Sequence, residues 1–221
     1  AALILTKPEE QSAASPCPPF SFPEPSILRN CVINWLLLLP LACSAHPLVA
    51  VADEFGRTTV SGSWVDGNWS NASGIAGLPT AADDVTIGVP SAAPANWLSD
   101  ASVTLGTATG VNNVTLGNGS SIGQLTIEAL GSLAASNATI NTGSSLTVDG
   151  SLTLTDWLNV HGTLNLNQSI AANSVWIDGG TVNRGAAAGL TANDLWLLNS
   201  SYAFGAGDSI SNSLSASDST I

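Results

Sequence analysis

The chain has 221 residues, and only 9% of them are charged, against about 25% in an ordinary soluble domain. With 16 acidic and 4 basic residues, its formal net charge is −12. Proteins that bind nucleic acids neutralise phosphates with clustered Lys and Arg, so this composition excludes a nucleic-acid binder. The same shortage of basic residues argues against binding to an anionic membrane surface.

Residues 1–52 are predicted to be a proline-rich leader that ends in a signal peptide. Arg29 is followed by an apolar run from Cys31 to Ala42, and Ala50-Val51-Ala52 then supplies a small-x-small site. A basic residue, an apolar run of about 7–15 residues and such a site are typical of secretory signals, so we expect cleavage after Ala52. A retained membrane anchor and a buried helix are the alternatives.

All three cysteines lie within the predicted leader, at positions 17, 31 and 43. Cleavage would therefore leave a mature chain without disulfides or thiolate metal sites. The sequence contains no methionine and stops inside repeat-like text. We therefore expect a piece of a longer reading frame, truncated at its C-terminus.

Residues 53–100 are expected to form an N-terminal β cap on the repeat array that follows. They contain Trp64 and Trp69, and Asp83-Asp84 leads into a predicted strand, Val85–Ile87. The open end of a repeat array exposes strand edges and apolar core, so a covering segment is needed there.

From about residue 100 one short pattern recurs, in which two apolar residues flank a middle residue and a turn-forming residue closes the segment. Alternation places both apolar side chains on one face, so each instance is predicted as a strand of three to five residues. The instances are Val103–Leu105, Val114–Leu116, Leu125–Ile127, Leu146–Val148, Leu152–Leu154, Leu158–Val160, Leu164–Leu166, Val175–Ile177 and Leu195–Leu197.

The spacing of these strands favours a solenoid. The leucines at 146, 152, 158 and 164 are six residues apart, which leaves no room for the crossover of a dozen or more residues that ordinary parallel sheets need. We therefore predict an all-β fold, a right-handed parallel β-helix over residues 101–221, with roughly 20 residues in each of about six coils. A β-sandwich of hairpins is the alternative, because Asp149-Gly150 and Asn118-Gly119 are hairpin signals.

Two segments carry a family resemblance, namely Trp64…Asn68-Trp69 and the repeat from Gly143 to Leu154. Over about residues 60–200 the chain resembles bacterial β-helical surface proteins, similar to autotransporter passenger and adhesin repeat regions. The resemblance implies a secreted protein or one at the bacterial outer membrane, with host or matrix glycans or surface proteins as partners. Membrane attachment would come only through the leader or a missing C-terminal region. The resemblance supplies no catalytic residues.

The residues of the array do not suggest a catalytic centre. Polysaccharide-cleaving enzymes use basic residues or paired carboxylates, whereas the array offers only Arg184 and His161, both predicted at exposed corners. Asp208 follows Gly205-Ala-Gly207, which matches a calcium-binding repeat only in part. We therefore expect a structural or adhesive module that is not an enzyme and has no cofactor or metal. The alternative is a carbohydrate-active enzyme or glycan-binding module with its site outside this fragment.

Trp176 and Trp196 are the candidate binding residues. Each is the middle residue of its strand, so both should face away from the core, and they lie 20 residues apart, about one coil. Stacked in this way, the two rings would form an exposed aromatic ladder suited to sugar rings. The alternative is that a loop or a neighbouring segment covers them.

Overall fold

The computed structural model describes residues 52–89 and 97–221, so the predicted leader falls, except for Ala52, outside the described residues. The described part contains 18 strands and no helix long and apolar enough to cross a membrane. The strands are β1 Glu54–Arg57, β2 Ser61–Ser63, β3 Trp69–Asn71, β4 Asp84–Ile87, β5 Ala101–Leu105, β6 Ala108–Gly110, β7 Asn113–Leu116, β8 Gly123–Ile127, β9 Ser132–Ala135, β10 Asn137–Ile140, β11 Ser145–Val148, β12 Ser151–Leu154, β13 Trp157–Val160, β14 Thr163–Leu166, β15 Ile170–Asp178, β16 Thr181–Arg184, β17 Leu190–Leu198 and β18 Ser209–Ser217.

The strands stack in parallel into three columns, which we call faces A, B and C. Face A consists of β1, β4, β7, β10, β13 and the second halves of β15, β17 and β18. Face B consists of β2, β5, β8, β11, β14 and β16. Face C consists of β6, β9, β12 and the first halves of β15, β17 and β18. From β5 onward the chain visits B, C and A in turn, and each circuit makes one coil.

This topology explains the six-residue spacing. Leu146, Leu152 and Leu158 lie on three successive faces, and Leu164 returns to face B in register with Leu146. In this part of the solenoid each face, together with its corner, uses six residues, so that one complete coil contains 18 residues. Other coils are longer, since Asn113 and Asn137 are 24 residues apart and Asp84 and Asn113 are 29 apart. The predicted parallel β-solenoid is confirmed, and the alternative of a hairpin sandwich is wrong; the right-handed sense of the coil stays a prediction.

The inward side chains form apolar columns along the solenoid. On face A one column runs through Val114, Ala138, Leu158, Val175 and Leu195, which are register partners on adjacent strands. Each of these side chains is at most 3% exposed. Burying a Val or Leu side chain stabilises a fold by about 1.5–3 kcal/mol, so these columns supply much of the stability of a cysteine-free region.

The Asp149-Gly150 pair marks a corner and not a hairpin. Gly150 lies between β11 and β12, and its N–H donates to the carbonyl of Ile127 on the preceding coil at 3.0 Å. A Cβ at this position would lie 2.2 Å from the carbonyl oxygen of Glu128. Glycine is therefore needed because two coils approach each other closely, which the dipeptide alone does not distinguish from a hairpin turn.

Strand length is the part of the prediction that is wrong. β15, β17 and β18 are nine residues long, because each continues from face C onto face A. Strand pairing skips Asn173 and Asn193 at the bend, and the Asn193 Nδ2 atom donates to the Asn173 Oδ1 atom at 2.6 Å. Stacked amides thus hold the corner without ending the strand.

The first coils carry buried tryptophans. Trp64 and Trp69 are 2% and 1% exposed, their ring centroids are 4.9 Å apart, and Trp69 Nε1 donates to the carbonyl of Trp64 at 2.7 Å. β3 pairs antiparallel with β1, while β1, β2 and β4 already belong to faces A and B. The predicted boundary of a cap at residue 100 stays a prediction.

A pair of neighbouring residues in β12 tests the inward columns. Leu152 is 1% exposed and Thr153 points outward. We expect Leu152→Ala to lower the free energy of unfolding by about 2–5 kcal/mol, since it leaves a cavity in the core. Thr153→Ala, the control, should cost less than about 1 kcal/mol. Equal losses from the two variants in chemical denaturation would contradict the assignment of faces.

Candidate functional site

The outer surface of face A carries two parallel rows of side chains. We call Asp84, Asn113 and Asn137 the amide row, and Thr86, Thr115, Thr139 and Asn159 the hydroxyl row. Both rows arise from strand alternation, because the Val, Ala, Leu and Ile residues between them point into the core. Register pairing then stacks like residues along the solenoid axis.

The amide row bonds to itself. Asn113 Nδ2 donates to Asp84 Oδ1 at 2.6 Å, and Asn137 Nδ2 donates to Asn113 Oδ1 at 2.7 Å. The Asn137 Oδ1 atom in turn accepts the backbone N–H of Trp157 at 3.1 Å. This chain of hydrogen bonds fixes the side chains of the row and orients one edge of face A.

Most side chains of the hydroxyl row do not use their hydrogen-bonding groups within the described residues. Thr86 Oγ1 donates to Glu54 Oε1 at 3.0 Å. The side chains of Thr115, Thr139 and Asn159, which are only half-buried, form no hydrogen bond with any other residue in 52–89 or 97–221. Two hydroxyls and one amide are therefore available to water or to a ligand.

Three tryptophans continue these rows. Trp176 follows Asn159 in register and Trp196 follows Trp176, with ring centroids 6.2 Å apart and ring planes at 32°. Trp157, next after Asn137, stacks on Trp196 with centroids 5.4 Å apart and planes at 21°. We call these three residues the tryptophan cluster. Trp176 is 38% exposed and the other two are half-buried, so the cluster presents an aromatic surface.

The structure places Trp176 and Trp196 one coil apart on the outside, the position proposed from the sequence. Trp157 was not among the candidate site residues. The outward direction of Trp157 follows from its alternation with the buried Leu158. Its contact with Trp196 does not follow from the sequence, because strand β15 lies between β13 and β17. Its register partner on β15 is the small residue Ser174, which is only 3% exposed, and the Trp157 ring lies 5.4 Å from that of Trp196 on the strand beyond.

A groove lies between the two rows. Its volume is about 530 Å³, and its lining runs from Glu54 and Asp84 at one end to Trp157 and Asn159 at the other. The Trp176–Trp196 pair lies directly beyond Asn159. A shallow polar groove that ends at stacked indoles suits an elongated ligand with both hydroxyl groups and apolar ring faces.

The face carries no free cation. Of the two arginines in the described residues, Arg57 pairs with Asp66 and Arg184 pairs with Asp208. Glu54 and Asp84, by contrast, border the groove. The electrostatic potential of the groove is therefore set by carboxylates.

Arg57 and Asp66 form an internal contact near the first coil. Arg57 is fully buried, donates to both Asp66 carboxylate oxygens at 2.8 and 2.9 Å, and lies 4.9 Å from the ring centroid of Trp69. The hydrogen bond from Arg57 is the main cause that lowers the pKa of Asp66 to about 2. This pair joins β1 to the loop before β3, and the full burial of Arg57 makes its role structural.

Arg184 corrects a prediction. The sequence placed it at a solvated corner, but its side chain is only 13% exposed and forms an ion pair with Asp208 from the next coil. Asp208 Oδ1 accepts the N–H of Leu190 at 2.7 Å and Oδ2 accepts the N–H of Gly205 at 3.0 Å. Burial raises the pKa of Asp208, but these N–H donors and Arg184 lower it by more.

The neighbouring Tyr202 belongs to the same contact. Its hydroxyl donates to Asp208 Oδ2 at 3.1 Å. Burial, with the negative charge of Asp208, raises the pKa of Tyr202 well above its usual range. The partial calcium motif before Asp208 thus forms a turn whose carboxylate binds backbone amides, a tyrosine and an arginine.

His161 lies at the corner after β13. Its Nδ1 atom is 3.8 Å from Asp178 Oδ2 and 3.3 Å from the Asp178 carbonyl oxygen, and both side chains are more than a third exposed. Within residues 52–89 and 97–221, no group of three or more His, Cys, Asp or Glu side chains is arranged to hold a metal ion.

A scan against protein-family models and searches of curated proteins and of solved structures gave no match for this chain.

The low pKa of Asp66 predicts an acid-dependent loss of stability. Because folding lowers this pKa, the ionised carboxylate stabilises the fold above about pH 4, and that contribution is lost as the pH falls from about 4 towards 2. We expect Asp66→Asn to unfold about 3–5 kcal/mol more easily at pH 7, since buried Arg57 loses its partner.

The matched control is Glu128→Gln, which neutralises an exposed carboxylate. It should leave both stability at pH 7 and the acid transition nearly unchanged. Thermal unfolding between pH 2 and 7 measures both effects. If Asp66→Asn retained the wild-type slope between pH 4 and 2, the Arg57–Asp66 contact would not be the source of the acid sensitivity.

Proposed function

We propose that this chain is a non-enzymatic structural or adhesive module of a secreted or cell-surface protein, of the kind found in autotransporter passengers and adhesins. The fold supports the proposal, because stacked parallel coils form a rigid support that presents long regular faces. The sequence resemblance supports the same class. The leader, with its signal-peptide pattern, supports export.

One observation carries the adhesive part of the proposal. Face A combines an amide row that bonds to itself, a hydroxyl row with unused hydrogen-bonding groups and the exposed tryptophan cluster. A surface built only for stability has no need to leave Trp176 38% exposed beside free hydroxyls. Such a combination is suited to binding rather than to packing.

A carbohydrate-active enzyme is the second candidate. Glu54 and Asp84 are register partners on β1 and β4, and both line the groove. Glycosidases use two carboxyl groups on either side of the bond to be cleaved. Here the Asp84 Oδ1 atom accepts hydrogen bonds from Asn112 and Asn113, and Glu54 accepts one from Thr86, so both carboxylates also have structural partners.

An attachment assay separates the two candidates. Beads coated with the full chain should stay attached under flow to surfaces coated with matrix proteins, mucin or plant polysaccharides, whereas albumin-coated beads should wash away. Soluble polysaccharides incubated with the chain should release no reducing ends. Detachment of both bead types from every surface would contradict the adhesive proposal.

The enzymatic candidate makes the opposite prediction about the sugar products. Release of reducing ends by the wild type, abolished in Glu54→Gln and retained in Glu128→Gln, would replace the adhesive proposal with an enzyme. Glu128 is an exposed carboxylate outside the groove, which makes it a suitable control.

A further inference from the structure

We infer that face A binds a neutral polysaccharide chain lying along the solenoid axis, with sugar rings stacked on the tryptophan cluster and sugar hydroxyls bonded to the hydroxyl row. The inference rests on the proposed adhesive function and names the class of ligand for the face-A groove.

The aromatic end of the site favours a sugar. A pyranose ring has an apolar face of C–H groups and a rim of hydroxyls, so it stacks on an indole while it keeps polar contacts at its edge. Trp176 offers the most exposed ring of the cluster, and its neighbour Trp196 also stacks on Trp157, so the three rings are in continuous contact. Tryptophan is also among the residues that most often dominate binding energy at interfaces.

The polar part of the site supplies hydrogen bonds at a regular interval. Thr115, Thr139 and Asn159 are register partners on β7, β10 and β13, and adjacent strands lie about 4.8 Å apart. That interval is close to the length of one sugar ring. A chain along the axis therefore brings successive sugars past successive free side chains, while the amide row, which bonds to itself, keeps its position.

Charge selects a neutral chain. Glu54 and Asp84 border the groove, and both described arginines are engaged in ion pairs elsewhere. With a net charge of −12, the protein repels an acidic polysaccharide at low salt. An uncharged chain meets no such repulsion and uses the same hydroxyl and aromatic contacts.

The test compares matched polymers on the full chain. Affinity electrophoresis and calorimetry with hydroxyethylcellulose, a β-1,3-glucan and a galactomannan should show binding to at least one neutral polymer, and carboxymethylcellulose should bind at least tenfold more weakly than that polymer. Binding to none of the neutral polymers would overturn the inference, as would equal or tighter binding of carboxymethylcellulose.

Substitutions then locate the site. Trp176→Ala should weaken neutral-glycan binding by about tenfold or more, and Trp176→Phe should restore part of it. The control Phe204→Ala removes another exposed aromatic ring, 42% exposed and outside face A, and should bind as the wild type does. An unchanged affinity in Trp176→Ala would overturn the assignment, provided that its unfolding midpoint matches the wild type.

The hydroxyl row has its own matched pair. Thr139→Val removes a free hydroxyl in the groove, and Thr153→Val removes one from the outside of face C. Only the first should weaken glycan binding, by a few-fold to tenfold. Beads that attach equally well with wild type and Trp176→Ala, without any neutral-glycan binding, would overturn this inference and leave the adhesive proposal standing. Beads that never attach overturn the adhesive proposal itself.

Discussion

Successive coils stack in register, and this stacking determines both the core and the outer surface of the solenoid. Because the strands are parallel and paired residue by residue, whatever occupies a position in one coil lies about 4.8 Å from its counterpart in the next. Inward positions therefore become apolar columns such as Val114, Ala138 and Leu158. Outward positions become rows of like side chains. The amide row and the Trp176–Trp196 pair both arise in this way, from outward register partners on successive coils.

Much of this fold can be predicted from local alternation and spacing, since the inward columns need an apolar residue at every second position of short strands. The six-residue interval from Leu146 to Leu164 predicts both the corner positions and the coil. The long strands β15, β17 and β18 could not be predicted in this way. At the bends of β15 and β17, Asn193 donates a hydrogen bond to Asn173, and these residues become adjacent only after two coils have stacked.

The candidate site likewise contains features that the sequence predicts and features that depend on contacts between coils. The outward direction of Trp176 and Trp196 follows from their middle positions in strands, and their alignment follows from a separation of one coil. The contact between Trp157 and Trp196 could not be predicted in this way, because it reaches across the intervening strand β15. The hydrogen bonding that distinguishes the amide row from the hydroxyl row also depends on contacts between coils. Asn113 and Asn137 stack although they are 24 residues apart, whereas Thr115 and Thr139 form no side-chain hydrogen bond within residues 52–89 and 97–221.

The two described arginines link stability to the chemistry of the surface. Desolvating a guanidinium is costly, and the structure compensates Arg57 with two oxygens of Asp66 and Arg184 with Asp208 and backbone carbonyls. Arg57 pairs with a residue nine positions later in the chain, whereas Arg184 pairs with Asp208 on the next coil, and both charges act inside the fold. With the arginines so engaged, the outer faces present carboxylates, amides, hydroxyls and indoles. A surface with that composition recognises partners by hydrogen bonding and by stacking, because both arginines of the described residues are already paired with carboxylates.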